Sequence, residues 1–315
     1  MAAEHFSYGG QAVIDGVMIR GRKGYAVACR LADGEIKVEK RSWEPLSRRH
    51  WLLNLPIIRG TPALIDAMVI GYRSLLLSAD YAAVSEGIKP PTTLQYVLSI
   101  ALAMVIAIGG FVLAPAFVTK QVPAVSTVGN MLKYLLEGLM RLVLFVIFIY
   151  LSSRMADMRR VFQYHGAEHK VINAFEATGR YGVEEAEPYG TLHQRCGTSF
   201  IFTVMIVGIL VHALVSWQHG VLVVLASRLL LLPVVAGVSY ELIRLAGRHK
   251  RSRILSILVA PGMWLQRITT QPPTPDMVEV AIQALEGALE LDEESKSRGV
   301  EESKTAGESG RADAQ

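Results

Sequence analysis

Two histidines four residues apart, with a glutamate just before the second, stand at His165, Glu168 and His169 in the stretch YHGAEHK. On a helix, positions i and i+4 share one face, so both imidazoles can reach a single ion. Glu168 lies beside them, where a carboxylate can take a proton from water. This H-x-x-E-H order points to a divalent-metal site whose chemistry would be hydrolysis. The plainer alternative is a polar helix face at a membrane edge, with no metal held.

Two histidines do not complete such a site. Glu176 shares their face, but from His165 it lies ~16 Å along a straight helix, so it could join only if the helix broke. His193 and Cys196, in TLHQRCGTSF, can fold back over a short loop, and Glu241 could close the site from farther along the chain. The order of preference is His193 first, Cys196 and Glu241 next, with Glu176 supporting the ligands from behind. Nitrogen, sulfur and oxygen donors together favour zinc over magnesium.

These residues must be positioned by a chain that reads as a membrane protein. Of its 315 residues 51% are hydrophobic and only 19% charged. Residues 94–119 carry no charged side chain and suffice to cross a hydrocarbon core of ~30 Å. Further spans are expected at 135–151, where Glu137 and Arg141 are spaced to pair, and as a hairpin at 200–217 and 221–240. Lysines and arginines concentrate in 152–199 and after 240, which predicts four crossings with both termini cytoplasmic. No signal-peptide layout is visible at MAAEHFSYGG. The excess of basic residues is accounted for by anionic lipid, so no nucleic-acid partner is expected.

His212 and Arg228 fall inside the third and fourth spans. His212 reads as a packed, hydrogen-bonded histidine, and Arg228 as either functional or paired with Glu241 or another internal carboxylate.

Residues 1–93 read as a cytoplasmic unit. Asp33-Gly34 between β-prone runs predicts an antiparallel hairpin over 24–43. The glycines of GGQAVIDGVMIRGRKG suit a strand with close backbone approach, and they lack the GxGxxG order of a nucleotide site. Residues 62–84 repeat apolar positions at helical spacing but include Asp66, Arg73 and Asp80, which predicts a helix lying on the bilayer or on the protein. Residues 241–291 should be cytoplasmic helices, the last opened by a capping box from Asp276 to Glu279. The polar tail 292–315 is expected to be disordered. Cys29 and Cys196 form no disulfide framework, in keeping with a reducing cytoplasmic face.

Five ordered blocks, GGQAVIDGVMIRG, YHGAEHKVINAFE, HQRCGTSF, SYE and PGMWLQRITTQPP, together resemble the YqhQ-like family of bacterial membrane proteins, from Tyr8 to about Leu289. The resemblance implies a domain of unknown function described as a metal-dependent enzyme. It matches the family pattern at His165, Glu168, His169, Glu176, His193, Arg195, Cys196 and Glu241. Asp15 stands where glutamate is expected and Gln194 where proline is expected.

The expectation is a mainly α membrane protein with about four transmembrane helices and a small cytoplasmic α+β portion, in a bacterial inner membrane. In the first reading it is a zinc-dependent hydrolase. In the second, it is a non-enzymatic scaffold for a membrane-protein partner, with the polar cluster as a structural junction. Transport through His212 and Arg228 is disfavoured by four spans without repeat symmetry.

Overall fold

The computed structural model describes residues 8–122, 126–214, 221–249 and 252–312. Four antiparallel strands, β1 (Gly9–Val13), β2 (Gly16–Arg20), β3 (Gly24–Arg30) and β4 (Ile36–Ser42), pair in sequence order. The alternation of β2 and β3 sends Val17, Ile19, Ala26 and Ala28 to one face and Met18, Tyr25, Val27 and Cys29 to the other. Both faces bury apolar side chains, so a layer must cover each. The hairpin at Asp33-Gly34 forms as expected, with Gly34 at φ 90°. In the β1–β2 turn Asp15 takes φ 49°, a conformation that a short polar side chain tolerates. There it pairs with Arg160.

The layers are helical. In chain order the long helices are α1 (Gly60–Ser85), α2 (Thr93–Lys120), α3 (Thr127–Ser152), α4 (Ala156–Thr178), α5 (Gly197–Leu214), α6 (Val221–Arg248), α7 (Arg253–Thr269) and α8 (Pro275–Ala312). Ile70 of α1, with Leu77 and Tyr81, packs on the Met18 face. Tyr164, Ala167, Val171 and Ile172 of α4 and the inner side of α8 pack on the Val17 face. The sheet is thereby clamped between α1 and the α4/α8 pair.

Among the described residues, four helices are long and apolar enough to cross a membrane: Gly60–Ser85, Thr93–Lys120, Gly129–Ser152 and Leu229–Arg248. Gly197–Ala213 is a shorter apolar helix. The second, third and fourth expected spans differ in extent from the helices. α3 begins at Thr127 and not near residue 135, α6 runs on to Arg248, and residues 215–220, which include the end of the expected third span, lie outside the described residues. α2 is continuous but carries a π turn at Gly109–Leu113. Pro115 follows at once, and its ring cannot accept a regular turn beneath it. Glu137 and Arg141 of α3 pair as their spacing predicts.

α1 is long enough to span, at a mean hydropathy of 1.3 against 2.7 for α2. Its polar residues serve the sheet. Asp66 is buried and accepts hydrogen bonds from Trp43 Nε1 at 3.2 Å and Leu46 N at 3.1 Å, and it pairs with Arg20 at 3.3 Å. Ser78 Oγ accepts from Ile14 N at 3.1 Å, and Gln11 Nε2 donates to Gly71 O at 3.0 Å. The other face exposes Ile65, Met68, Tyr72 and Leu75.

Two expectations at the C-terminal end are corrected. Pro275 takes the first position of α8, Met277 N and Val278 N bond to Thr274 O, and Asp276 therefore lies inside the first turn instead of capping it. The chain beyond Asp292 continues α8 to Ala312 where disorder was expected, with residues 313–315 outside the described part. Its glutamates, lysines and arginines are polar and yet good helix formers. Asp292 itself is buried, accepting from Tyr8 Oη at 2.8 Å and from the backbone of Arg22 and Lys23 at 3.0 and 2.9 Å.

Candidate metal centre

α4 places His165 and His169 one turn apart, with ring centroids 4.5 Å apart. The apolar stripe of the same helix is locked into the core, so the histidine face is fixed in rotation. His165 Nδ1 lies 2.9 Å from Thr269 O at the end of α7, and His169 Nδ1 lies 2.6 Å from Thr191 O in the loop before α5. A carbonyl oxygen only accepts, so each Nδ1 carries the proton and each Nε2 keeps its lone pair. This is the outer-shell arrangement that orients histidine ligands. Burial holds the His169 imidazole below its ordinary pKa, which favours the neutral form that binds metals.

The third donor is Cys196. Its Sγ is 3.2 Å from His165 Nε2, and donor atoms of His165, His169 and Cys196 all lie within 4.8 Å of one another. All three residues are buried. Donors around a tetrahedral zinc at ~2.0–2.3 Å stand ~3.3–3.8 Å apart, so small movements would bring these atoms onto one ion.

His193, ranked first from sequence, is not in that group. Its ring centroid is 5.6 Å from that of His169, but its Nε2 turns to Glu176 Oε2 at 3.7 Å. α4 runs unbroken past Glu176, which therefore stays out of the cluster and pairs with Arg195. Glu241 is also elsewhere: both its oxygens bond Arg59 at 2.6 Å, tying the start of α1 to α6. Its predicted partner Arg228 has a side chain outside the described residues. His212 bonds Gly208 O of its own helix at 2.6 Å, as a packed histidine would.

Glu168 is buried against β1. Gly10 N donates to its Oε1 at 2.9 Å, while Oε2 has no partner among the described residues. Burial pushes its carboxyl up to about 7, opposed by the nearby His165 and by the Gly10 bond. A carboxyl with that value can both accept and release a proton near neutrality. The unpartnered oxygen and the chemistry of the two imidazoles and one thiol fit a divalent ion and a water.

Several contributors left no signature in the sequence. The carbonyls of Thr191 and Thr269 and the N–H of Gly10 are backbone groups, invisible to motif reading. Gln266 is fully buried and clasps His193 through two bonds, accepting from its N at 2.9 Å and donating to its O at 2.8 Å. An uncharged glutamine on the inner, otherwise apolar side of α7 was the available clue. Gly166, which costs helix propensity, is explained here: a Cβ there would lie 2.1 Å from Gln271 O. The close approach lets Gln271 N bond Phe162 O at 2.9 Å and brings Thr269 to His165.

Cys29 lies outside the cluster. It is a free thiol in the sheet core, and burial pushes it up to about 12.

Comparison with known proteins agrees with the sequence blocks. The chain is 35% identical over 298 residues to "Uncharacterized protein YqhQ" of Bacillus subtilis (strain 168), covering 91% of this chain and 93% of that protein. No solved structure matches it. Residues 55–291, which include His165, Glu168, His169 and Cys196, match the family described as "Protein of unknown function (DUF1385)". On both grounds the chain belongs to the DUF1385, or YqhQ-like, family of unknown function.

Proposed function

We propose that His165, His169 and Cys196 hold a divalent metal ion, zinc in the cell, and that the protein is a hydrolase working at the cytoplasmic surface of a membrane. The observation that carries this is the convergence of three donors within 4.8 Å, with both histidines held in the ligating tautomer by backbone carbonyls. A bound ion would supply Lewis-acid polarisation of a carbonyl or phosphoryl oxygen. Glu168 then takes the proton from the attacking water and returns it to the leaving group. Its buried position beside His165 and its raised pKa suit that double task. Glu176 and Arg195 buttress His193 behind the ligands. The clustering of basic residues in 152–199 and after 240 supports the cytoplasmic placement of the site and both termini.

Glu168→Gln keeps the size of the side chain and removes its basicity. We expect that variant to keep its zinc and to lose hydrolysis of any substrate that the parent cleaves, in a screen of phosphoryl and acyl esters. Full activity in Glu168→Gln would remove the general-base role.

A structural junction is the second reading, favoured by the same carbonyl bonds, since His165 and His169 join α4 to α7 and to the 191 loop. Under it the polar cluster braces a scaffold for a membrane-protein partner, and no zinc accompanies the purified protein.

A further inference from the structure

A groove of about 370 Å³ runs along α7 and is bordered by Leu192 and Gln194, which flank His193, whose ring centroid lies 5.6 Å from that of His169. Its walls are Leu192, Val259, Ala260, Met263 and Trp264. Ser256, Ala260, Met263 and Arg267 follow at intervals of four, three and four residues, so they line one side of the helix over ~16 Å. The groove is therefore apolar for most of its length and cationic at the end nearest Gln266 and Thr269, the residues that touch the histidines.

Two polar groups at that end want partners. Arg267 is exposed, with no acceptor among the described residues. Gln194 Oε1 is a buried acceptor without a donor among the described residues. Next to the groove, α7 presents uncovered Ile254, Ile257 and Leu258, the first 73% exposed. α7 packs on α5, the short apolar helix. An apolar channel that opens onto bare aliphatic side chains and ends at an unpaired guanidinium matches a molecule with an acyl chain and an anionic head.

We infer that this groove binds an anionic phospholipid, with the phosphate on Arg267, a headgroup hydroxyl donating to Gln194 Oε1, and an acyl chain along Val259, Ala260 and Met263. The site holds a lipid headgroup next to the centre, which makes phospholipids, or molecules built on them, the substrate class of the proposed hydrolase. The inference rests on the membrane reading above, but lipid binding itself does not require a metal.

The test is native mass spectrometry of the full chain in detergent, incubated with equimolar dioleoylphosphatidylglycerol and dioleoylphosphatidylcholine. The phosphatidylglycerol adduct should exceed the phosphatidylcholine adduct about fivefold, the preference expected of one well-placed cation. Arg267→Gln should bring the ratio to about one, Arg267→Lys should keep most of it, and Ala260→Trp should remove both adducts by filling the groove. Excess glycerol phosphate, which has the head without chains, should displace neither. The double variant His165→Ala/His169→Ala should retain the selectivity, so that failure of the metal reading leaves this result standing. An unchanged ratio in Arg267→Gln, adducts persisting in Ala260→Trp, or displacement by glycerol phosphate would each overturn the assignment.

Discussion

Gly166→Ala should weaken both the fold and the metal centre, although alanine is the better helix former. In an isolated helix the change would gain about 1 kcal/mol. Here the new methyl would meet Gln271 O at 2.1 Å, where ordinary contact begins at 3.4 Å, so α4 and the chain after α7 must part by about 1.3 Å. The obstacle is backbone, not the end of a flexible side chain. Parting them loosens the Gln271 N to Phe162 O bond of 2.9 Å and the His165 Nδ1 to Thr269 O bond of the same length. Overpacking of a tight contact costs about 1–3 kcal/mol, so the net is a loss of up to about 2 kcal/mol. Loss of an outer-shell bond to a ligating histidine lowers metal affinity about 10–100-fold. Thermal unfolding in detergent reads the first effect, and zinc competition against a chromophoric chelator reads the second. A variant that melts higher and binds zinc equally well would refute the role given to this contact.

Other outcomes follow from the same geometry. Asp66→Ala removes the shared acceptor of Trp43, Leu46 and Arg20 in a buried place, and should cost about 3 kcal/mol in chemical denaturation. A loss under about 1 kcal/mol would mean that α1 is held to the sheet by its apolar contacts alone. On the acid side, the hydrogen bond from Tyr81 holds Glu39 below its ordinary value of 4.5. The stabilisation it gives is present above that value and is lost as the pH falls through the lower folded one. Glu39→Gln should flatten this limb of the stability profile, and an unchanged acid limb would show that the bond contributes nothing.

The sequence reading reached the centre because H-x-x-E-H is a local pattern on one helix, and a 3.6-residue period puts its members together. Cys196 was within reach as a candidate but could not be ranked above His193. That choice depends on which way a loop turns, and here Gln266 fixes His193 toward Glu176. Glu241 was misassigned for a related reason: its partner Arg59 lies 182 positions away, and no spacing rule relates them. The hairpin and the helix at 60–85 were legible from turn chemistry and periodicity. The polar tail was not, because low apolar content signals disorder while good helix formers can still continue a helix anchored at Asp292.

Zinc content measured on the detergent-purified full chain, beside His165→Ala/His169→Ala and after removal of loosely held ions, tests the central claim most directly. The account predicts close to one zinc per chain in the parent and none in the variant, with circular dichroism showing that the helices persist. A parent that carries no zinc and takes up none when it is supplied would contradict the metal centre and leave the cluster as a structural junction.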